Sequence, residues 1–384
     1  MEETILGMQI GMMRGYYKCF SKYARGKKAP GKVAWVTSFA PVEILEALGI
    51  QYYYPESYAA VIASSDMEQD MLKGSEKEHL SCDCCSYACC MEGCISTGEG
   101  PRGILPVPDI LIASNNQCNT LPGWWNILAE RYKVPLIVLD YPGEDVDRDI
   151  ALSYVTRQHK ELIKELEKLT GNNLDKNVLN GCINRSVNSI SSWEKIVKLA
   201  SKKDINYSNI FDDIFFLITM RSKKEAEELY ATMAEDLAKE PDKEDSAIPL
   251  FMVGYPLWYS PERYFADLLE GFRVCGSNYI TWWLLDFSGE DIFERLFNAY
   301  NYTFLNLKQE KRNKRLSKAI EESGAIAAIT LRNKSCKCDF VSAKNIKIPQ
   351  AEVEIDMVDR NYMDEERARQ SVDILKDLLH MKSS

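Results

Sequence analysis

The chain is expected to fold as an α/β protein with two parallel-sheet domains joined by a helical segment, and three observations point there. Short apolar runs alternate with helical stretches over residues 33–140. A similar alternation returns after residue 246, and the stretch between them is almost wholly helical in pattern. At 384 residues the chain also exceeds the length at which one hydrophobic core usually keeps growing, which favours two compact units over one. Residues 1–150 are therefore expected to form an N-terminal α/β domain carrying Cys85 and Cys118, 151–245 a helical connector, and 246–384 a C-terminal α/β domain carrying Cys336.

Taken in order, residues 4–24 are helical in pattern, and Gly26 to Gly31 with Pro30 breaks the run before a buried strand from Val33 to Ser38. The stretch 26–33 nearly spells a phosphate-binding loop, but Val33 stands where a magnesium-ligating hydroxyl is needed, and the loop precedes a strand instead of following one. Pro41 to Leu48 reads as a helix with proline at its start and Gly49 just past its end. Thr37 and Ser38 thus occupy a strand-to-helix turn, where open α/β sheets gather ligands; Ser38 is placed either to face a ligand or to cap the helix. Glu56 follows the aromatic cluster Tyr52 to Tyr54 and is either a tuned acid or base or a solvated helix-start residue, the residues alone favouring the latter. Gly98, Gly100 and Gly103 have the spacing of a dinucleotide fingerprint, which fails because no strand precedes it and Pro106 and Pro108 follow.

Asp109 to Ser114 and Val134 to Asp140 are further strands, with a helix from Leu121 to Tyr132 between them, so that Cys118 lies at a strand's carboxyl end. The charged amphipathic run from Arg157 to Leu169 belongs to the connector, and His159 within it reads as a surface helix residue. After a helical stretch over 208–240, strands are expected at 248–254, 278–284 and 325–331, with helices over 261–274 and 290–322. Cys336 again follows a strand; 349–356 is a last short strand and 365–379 a closing helix.

Hydrophobic residues make up 46% and charged residues 27% of the chain, a globular balance without a disorder signature. The net charge of -10 argues against a nucleic-acid backbone as the main partner. No leader pattern and no membrane-spanning run is visible, so a cytoplasmic protein away from the membrane is expected. Twelve cysteines in such a compartment point to metal or redox chemistry before disulfides. With His79, His159 and His380 as the only histidines, catalysis resting on several imidazoles is disfavoured.

Six cysteines crowd between Ser81 and Cys94, namely Cys82, Cys84, Cys85, Cys89, Cys90 and Cys94. Thiolates at that density suit iron or zinc, although a set of buried reduced thiols with one or two functional members is the plainer alternative. Cys85, Cys118 and Cys336, read as standing at three strand ends, could converge in the cleft between the two domains and hold a cluster there. Three ligands would leave one iron open to water or substrate, able to act as a Lewis acid as well as an electron donor. Zinc competes weakly, since Cys82 with Cys84 and Cys336 with Cys338 are spaced more tightly than zinc knuckles usually are.

The segments Ala34 to Ile50, Tyr53 to Glu56, Cys85 to Ala88, Asp109 to Cys118, Val134 to Asp140, Gly324 to Cys336 and Ile348 to Asp356 together resemble the 2-hydroxyacyl-CoA dehydratase and benzoyl-CoA reductase family. The resemblance covers most of the chain, while 150–240 matches only in helical character. It implies two Rossmann-like or flavodoxin-like domains with a four-iron (4Fe-4S) cluster in the cleft, held through Cys85, Cys118 and Cys336 with the fourth iron facing the substrate. Ser38 and Glu56 match positions that contact substrate or cluster water. The implied reaction is ketyl-radical elimination of water from a 2-hydroxyacyl-CoA, or low-potential reduction of an aromatic acyl-CoA, after one-electron activation. The implied partners are an ATP-hydrolysing activator with its own iron-sulfur cluster and a homologous second subunit, in a heterodimer or a homodimer.

Cys82, Cys84, Cys89, Cys90, Cys94 and Cys338 exceed the three ligands such a cluster needs. They raise a second reading, a double-cubane-cluster small-molecule reductase. A third, from another class, is a non-catalytic electron or metal carrier.

Overall fold

The computed structural model describes residues 2–23, 31–77, 81, 83–205, 207–244, 247–259, 266–336 and 346–383. Helix α1 (Glu2–Tyr23) precedes a first sheet of four parallel strands: β1 (Val33–Val36), β2 (Gln51–Tyr53), β3 (Ile110–Ser114) and β4 (Leu136–Leu139), in the spatial order β2-β1-β3-β4. Each residue of β1 and β3 is buried, as expected of near-continuous apolar runs at the centre of a parallel sheet. The edge strand β2 is the one the sequence reading did not assign; three residues are too few to carry a periodicity. Most of the phosphate-loop-like stretch 26–33 lies outside the described residues.

Helices α2 (Val42–Ala47), α3 (Pro55–Ser64), α4 (Glu68–Lys77), α5 (Ser86–Thr97) and α6 (Thr120–Tyr132) fill the connections. Gly98, considered above for a dinucleotide loop, ends α5 in the left-handed conformation (φ 71°), which glycine adopts without the usual Cβ strain. Within α5, Gly93 is the point of closest approach to α4. A Cβ there would stand 1.7 Å from the Met71 carbonyl oxygen, so only glycine lets the two helix backbones touch.

The middle of the chain is helical: α7 (Arg148–Thr170), α8 (Lys176–Ala200), α9 (Ser208–Met220) and α10 (Lys224–Leu237). Asp147 caps α7 by accepting from the amides of Asp149 (3.0 Å) and Ile150 (3.4 Å). His159 departs from expectation. It is fully buried on the stripe Ala151, Val155, His159, Leu162 and Leu166, and its Nε2 bonds the Tyr141 hydroxyl at 2.8 Å. Burial pulls its pKa down to about 3, so the imidazole is neutral at ordinary pH. The run is charged on its other faces, and that misled the sequence reading.

Behind the first sheet, α2 is tied to this helical layer by a buried ion pair. Arg221 donates from Nε to Glu43 Oε1 (3.1 Å) and from Nη2 to the Ala40 carbonyl (3.1 Å) and the Tyr300 hydroxyl (2.7 Å). Glu43 also accepts from Ser186 Oγ (2.7 Å) and from the Tyr300 hydroxyl. Both charges are out of solvent, so either one left alone would bear its full desolvation penalty. Arg221→Met is expected to destabilise the protein by ~3–5 kcal/mol, read as a lowered urea midpoint, and Glu43→Leu in the same chain should restore much of the loss. A loss of less than ~1 kcal/mol in the single variant would show that the pair is dispensable.

The second sheet is also parallel, with β5 (Ile248–Val253), β6 (Phe272–Ser277), β7 (Ala327–Asn333) and β8 (Gln350–Ile355) in the order β6-β5-β7-β8. The expected strand over 278–284 is instead helix α11 (Asn278–Thr281) and the turn after it, while β6 takes residues that had been read as the end of a helix over 261–274. Residues 261–265 of that expected helix lie outside the described residues. Ser277 caps α11 through the Tyr279 amide (3.2 Å), and Asn278 accepts from the Gly254 amide (2.8 Å). A short apolar run does not by itself tell a strand from a buried helix, and here local capping decides. The expected helix over 290–322 divides into α12 (Ile292–Asn301) and α13 (Gln309–Ser323), with a single 3-10 turn at Phe304–Asn306 between them. Helix α14 (Glu365–Ser383) closes the chain. Among the described residues no helix is long and apolar enough to cross a membrane.

Candidate functional site

Cys85 and Cys118 stand at helix N-termini. Cys85 is the residue immediately before α5, and Cys118 lies between β3 and α6, two residues before the helix begins. Cys336 lies three residues past β7. The expectation that all three stand at strand ends therefore needs correction, because α4 and not a strand precedes Cys85. All three are half-buried and pack against the core.

The loops that carry them meet. Ser335 Oγ bonds Ser86 Oγ at 2.8 Å, placing the residue before Cys336 against the residue after Cys85. The Ser335 amide donates to Asp356 Oδ2 (3.2 Å), and Asp356 Oδ1 accepts from the amides of Val358 and Asp359 (both 2.9 Å), fixing the loop from the β8 side. Burial pushes the Cys85 thiol well up; the neighbouring Cys336 and Cys118 raise it further, against amide donors from Ala88 and Tyr87. Cys118 is pushed up to about 11, mainly by burial, with Glu56 and Cys336 adding to the rise and the amides of Leu121 and Thr120 opposing it. Removing protons here therefore calls for a compensating positive charge, while the two helix N-termini already aim N–H groups at the sulfurs.

Among the described residues, no group of three or more His, Cys, Asp or Glu side chains stands ready-made to hold a metal ion. The chemistry of the donor set suits an iron-sulfur cluster: three thiols on different loops, sheltered in apolar surroundings, with amide donors at Cys85 and Cys118. The remaining cysteines behave differently. Cys89, Cys90 and Cys94 are buried in α5, where Cys89 Sγ donates to the Ser81 carbonyl at 3.6 Å. Cys84 is exposed; Cys182 and Cys275 are buried elsewhere; Cys82, Cys338 and the side chain of Cys19 lie outside what the structure describes. No disulfide joins any described cysteine.

Ser38, two residues past β1, does not cap α2. Its amide and its hydroxyl both donate to Glu56 Oε2, at 3.0 and 3.1 Å. Glu56, far from being solvated, is 4% exposed in the first turn of α3 behind Pro55. Gln117 Nε2 donates to its other oxygen at 2.8 Å. Burial raises the Glu56 pKa, and the donors from Ser38 and Gln117 oppose that rise. Glu56 in turn raises Cys118, Tyr87 and Tyr279, which places the carboxylate beside the thiol group and beside two phenols.

Sequence reasoning missed Gln117, although its place directly before Cys118 in a strand-to-helix turn was a usable signal. The Gln117 Oε1 atom is buried without a hydrogen-bond partner. Tyr87, Trp258 and Tyr279 were missed too, because nothing in a single sequence tells a site-lining ring from a core ring.

Ser38, Glu56 and Gln117 open onto a cavity of about 1550 Å³, lined further by α1, α9, Tyr87, Arg102 and the segment Tyr255–Trp258. Pockets for drug-sized ligands are ~300–1,000 Å³, so this one has room for a longer molecule. Residues 37–375 match the family described as 2-hydroxyglutaryl-CoA dehydratase, D-component. The chain belongs to that family.

Its curated relatives include the (R)-2-hydroxyisocaproyl-CoA dehydratase alpha subunit of Clostridioides difficile, 26% identical over 82% of this chain and 81% of that protein. The lactoyl-CoA dehydratase alpha subunit of Anaerotignum propionicum is 25% identical over 89% and 88%, and a benzoyl-CoA reductase subunit of Thauera aromatica 24% over 72% and 69%. The span matched to the 2-hydroxyglutaryl-CoA dehydratase D-component family contains Ser38, Glu56, Cys85, Cys118 and Cys336.

Proposed function

We propose that this dehydratase-type subunit holds a 4Fe-4S cluster through Cys85, Cys118 and Cys336 and acts on a coenzyme A thioester lying in the cavity beside Glu56. The observation that carries the reading is the meeting of three thiols from separate loops next to a buried carboxylate that opens onto a cavity roomy enough for a thioester. When bound, such a cluster supplies a low-potential electron and one iron with an open position. The protein's own groups have distinct tasks. Glu56 accepts or returns a proton near the substrate, its affinity for that proton raised by burial. Ser38 and Gln117 orient the carboxylate from its two sides. The surrounding rings exclude water from a reaction in which radical character must be protected.

The reaction proposed is loss of water from a 2-hydroxyacyl-CoA through a ketyl radical, after one electron arrives from an ATP-hydrolysing partner. Low-potential reduction of an aromatic acyl-CoA is the second reading, favoured by the kinship with a benzoyl-CoA reductase subunit. Relatives named as alpha subunits support a multi-subunit enzyme with a homologous partner chain, and we place it in the cytoplasm. Iron and acid-labile sulfide assays on anaerobically purified protein, followed by spectra with and without an acyl-CoA, test the reading. Iron with a substrate-dependent spectral change is expected. Zinc in place of iron would overturn the cluster, and iron whose spectrum ignores every acyl-CoA would point to an electron carrier.

A further inference from the structure

We infer that the chamber beside Glu56 selects an uncharged acyl group bearing an aryl or similarly flat apolar end, and turns away acyl groups that end in a second carboxylate. This rests on the thioester reading above and goes beyond it by fixing the chemistry of the acyl part. The chamber's inner lining is aromatic: Tyr87, Tyr255, Trp258, Tyr279 and Trp283 all face the cavity. They form one connected set, with Tyr279 at the centre, its ring 5.3 Å from Tyr255, 5.7 Å from Trp258 and 6.3 Å from Trp283, and with Tyr87 6.5 Å from Tyr255. The Trp258 indole N–H donates to the Tyr87 hydroxyl, so the two rings are held in one arrangement. A cavity wall of fixed rings suits a flat apolar group, which can stack or meet an edge at little cost in ordering.

Charge discriminates in the same direction. Glu56 is the buried carboxylate of this chamber, Asp212 and Asp213 of α9 line the cavity as well, and among the described residues no lysine or arginine pairs with Glu56. Among the described residues, the basic ones lining the cavity are Arg14 and Lys18 on α1 and Arg102, whose guanidinium lies over the Tyr17 ring at 5.9 Å. None of them is among the groups that perturb Glu56 or Tyr279. A thioester whose anionic half lies toward α1 therefore delivers its acyl end to rings whose faces carry partial negative charge and to a carboxylate. A second carboxylate there would meet like charge with no cation among the described residues to answer it.

Calorimetric titration of the anaerobic holoenzyme, without activator so that nothing turns over, tests this with 3-phenylpropanoyl-CoA, hexanoyl-CoA, glutaryl-CoA and free coenzyme A. Phenylpropanoyl-CoA is expected to bind ~100-fold more tightly than glutaryl-CoA, the discrimination an unanswered buried charge produces, with hexanoyl-CoA between them. Equal binding of all three thioesters, or tighter binding of glutaryl-CoA, overturns the acyl assignment and leaves the thioester reading standing. Failure of all four ligands to bind overturns both. In Trp258→Leu the phenyl-over-glutaryl ratio should fall at least ~5-fold, as expected when an aromatic contact is lost; an unchanged ratio removes the rings from the assignment. If that variant does not fold, the wild-type titrations decide alone.

Discussion

Cys118→Ala protein, purified without oxygen, is expected to lose most of its iron and sulfide, whereas Cys94→Ala protein should keep both. Cys118 lies in a turn that also holds Gln117 and leads into α6, whose first amides aim at the sulfur. Alanine there removes one of three anchors and leaves those amides facing a void. Cys94 sits fully buried in α5, on the helix that leans on α4 through Gly93. Its loss should cost about 1–2 kcal/mol of packing without touching the cluster. Far-UV circular dichroism on both variants separates iron loss from unfolding. Cys118→Ala protein with full iron content would refute the assigned ligands. Equal iron loss in both variants would favour a larger cluster that recruits the cysteines of α5, as in the double-cubane reading.

The parts of this arrangement that were legible in the sequence are those a single segment decides. Val33 to Val36 and Ile110 to Ser114 are apolar runs too short for helices and bounded by turn residues, so the centre of the first sheet could be read directly. The positions of Cys118 and Cys336 past strands followed from the same reading. What stayed hidden depends on pairs of segments. Edge strand β2 exists because Gln51, Tyr52 and Tyr53 pair with Val33, Ala34 and Trp35, a partnership no local pattern announces. The exchange of strand and helix around residues 272–284 turns on a serine cap and on one asparagine held by a distant glycine amide. His159 shows the limit from the other side. Its spacing from Val155 and Leu162 put it on the buried stripe, but the charged residues around it dominated the reading. The same holds for Glu56, whose burial comes from Ser38 and Gln117, which lie 18 and 61 residues away in sequence.

Glu56→Gln is expected to lower turnover by ~10²–10⁴-fold, the usual worth of a positioned acid or base, while leaving the fold at least as stable as before. The two effects have one origin. Burial raises the Glu56 pKa, so the folded chain holds its proton more tightly than the unfolded chain does. At a pH below the ordinary carboxyl value of ~4.3 the group is neutral in both states and there is nothing to lose. As the pH rises through that value toward the raised one, the unfolded chain gives up its proton first and native stability falls. The loss is complete once the folded carboxyl has ionised too. Glutamine has no proton to lose, and Gln117 can turn its amide to meet the new one, since its Oε1 is now unpartnered. Thermal melts of the two proteins should therefore coincide near pH 4 and separate above it, with the variant higher. In the wild type the acid limb of the pH–rate profile should report the raised carboxyl, and in the variant that limb should vanish. A variant that retains more than ~10% of activity would remove Glu56 from the chemistry, because a general acid or base is worth at least ~100-fold. A variant that melts lower than the wild type at neutral pH would show instead that the Ser38 and Gln117 hydrogen bonds outweigh the desolvation of the charge.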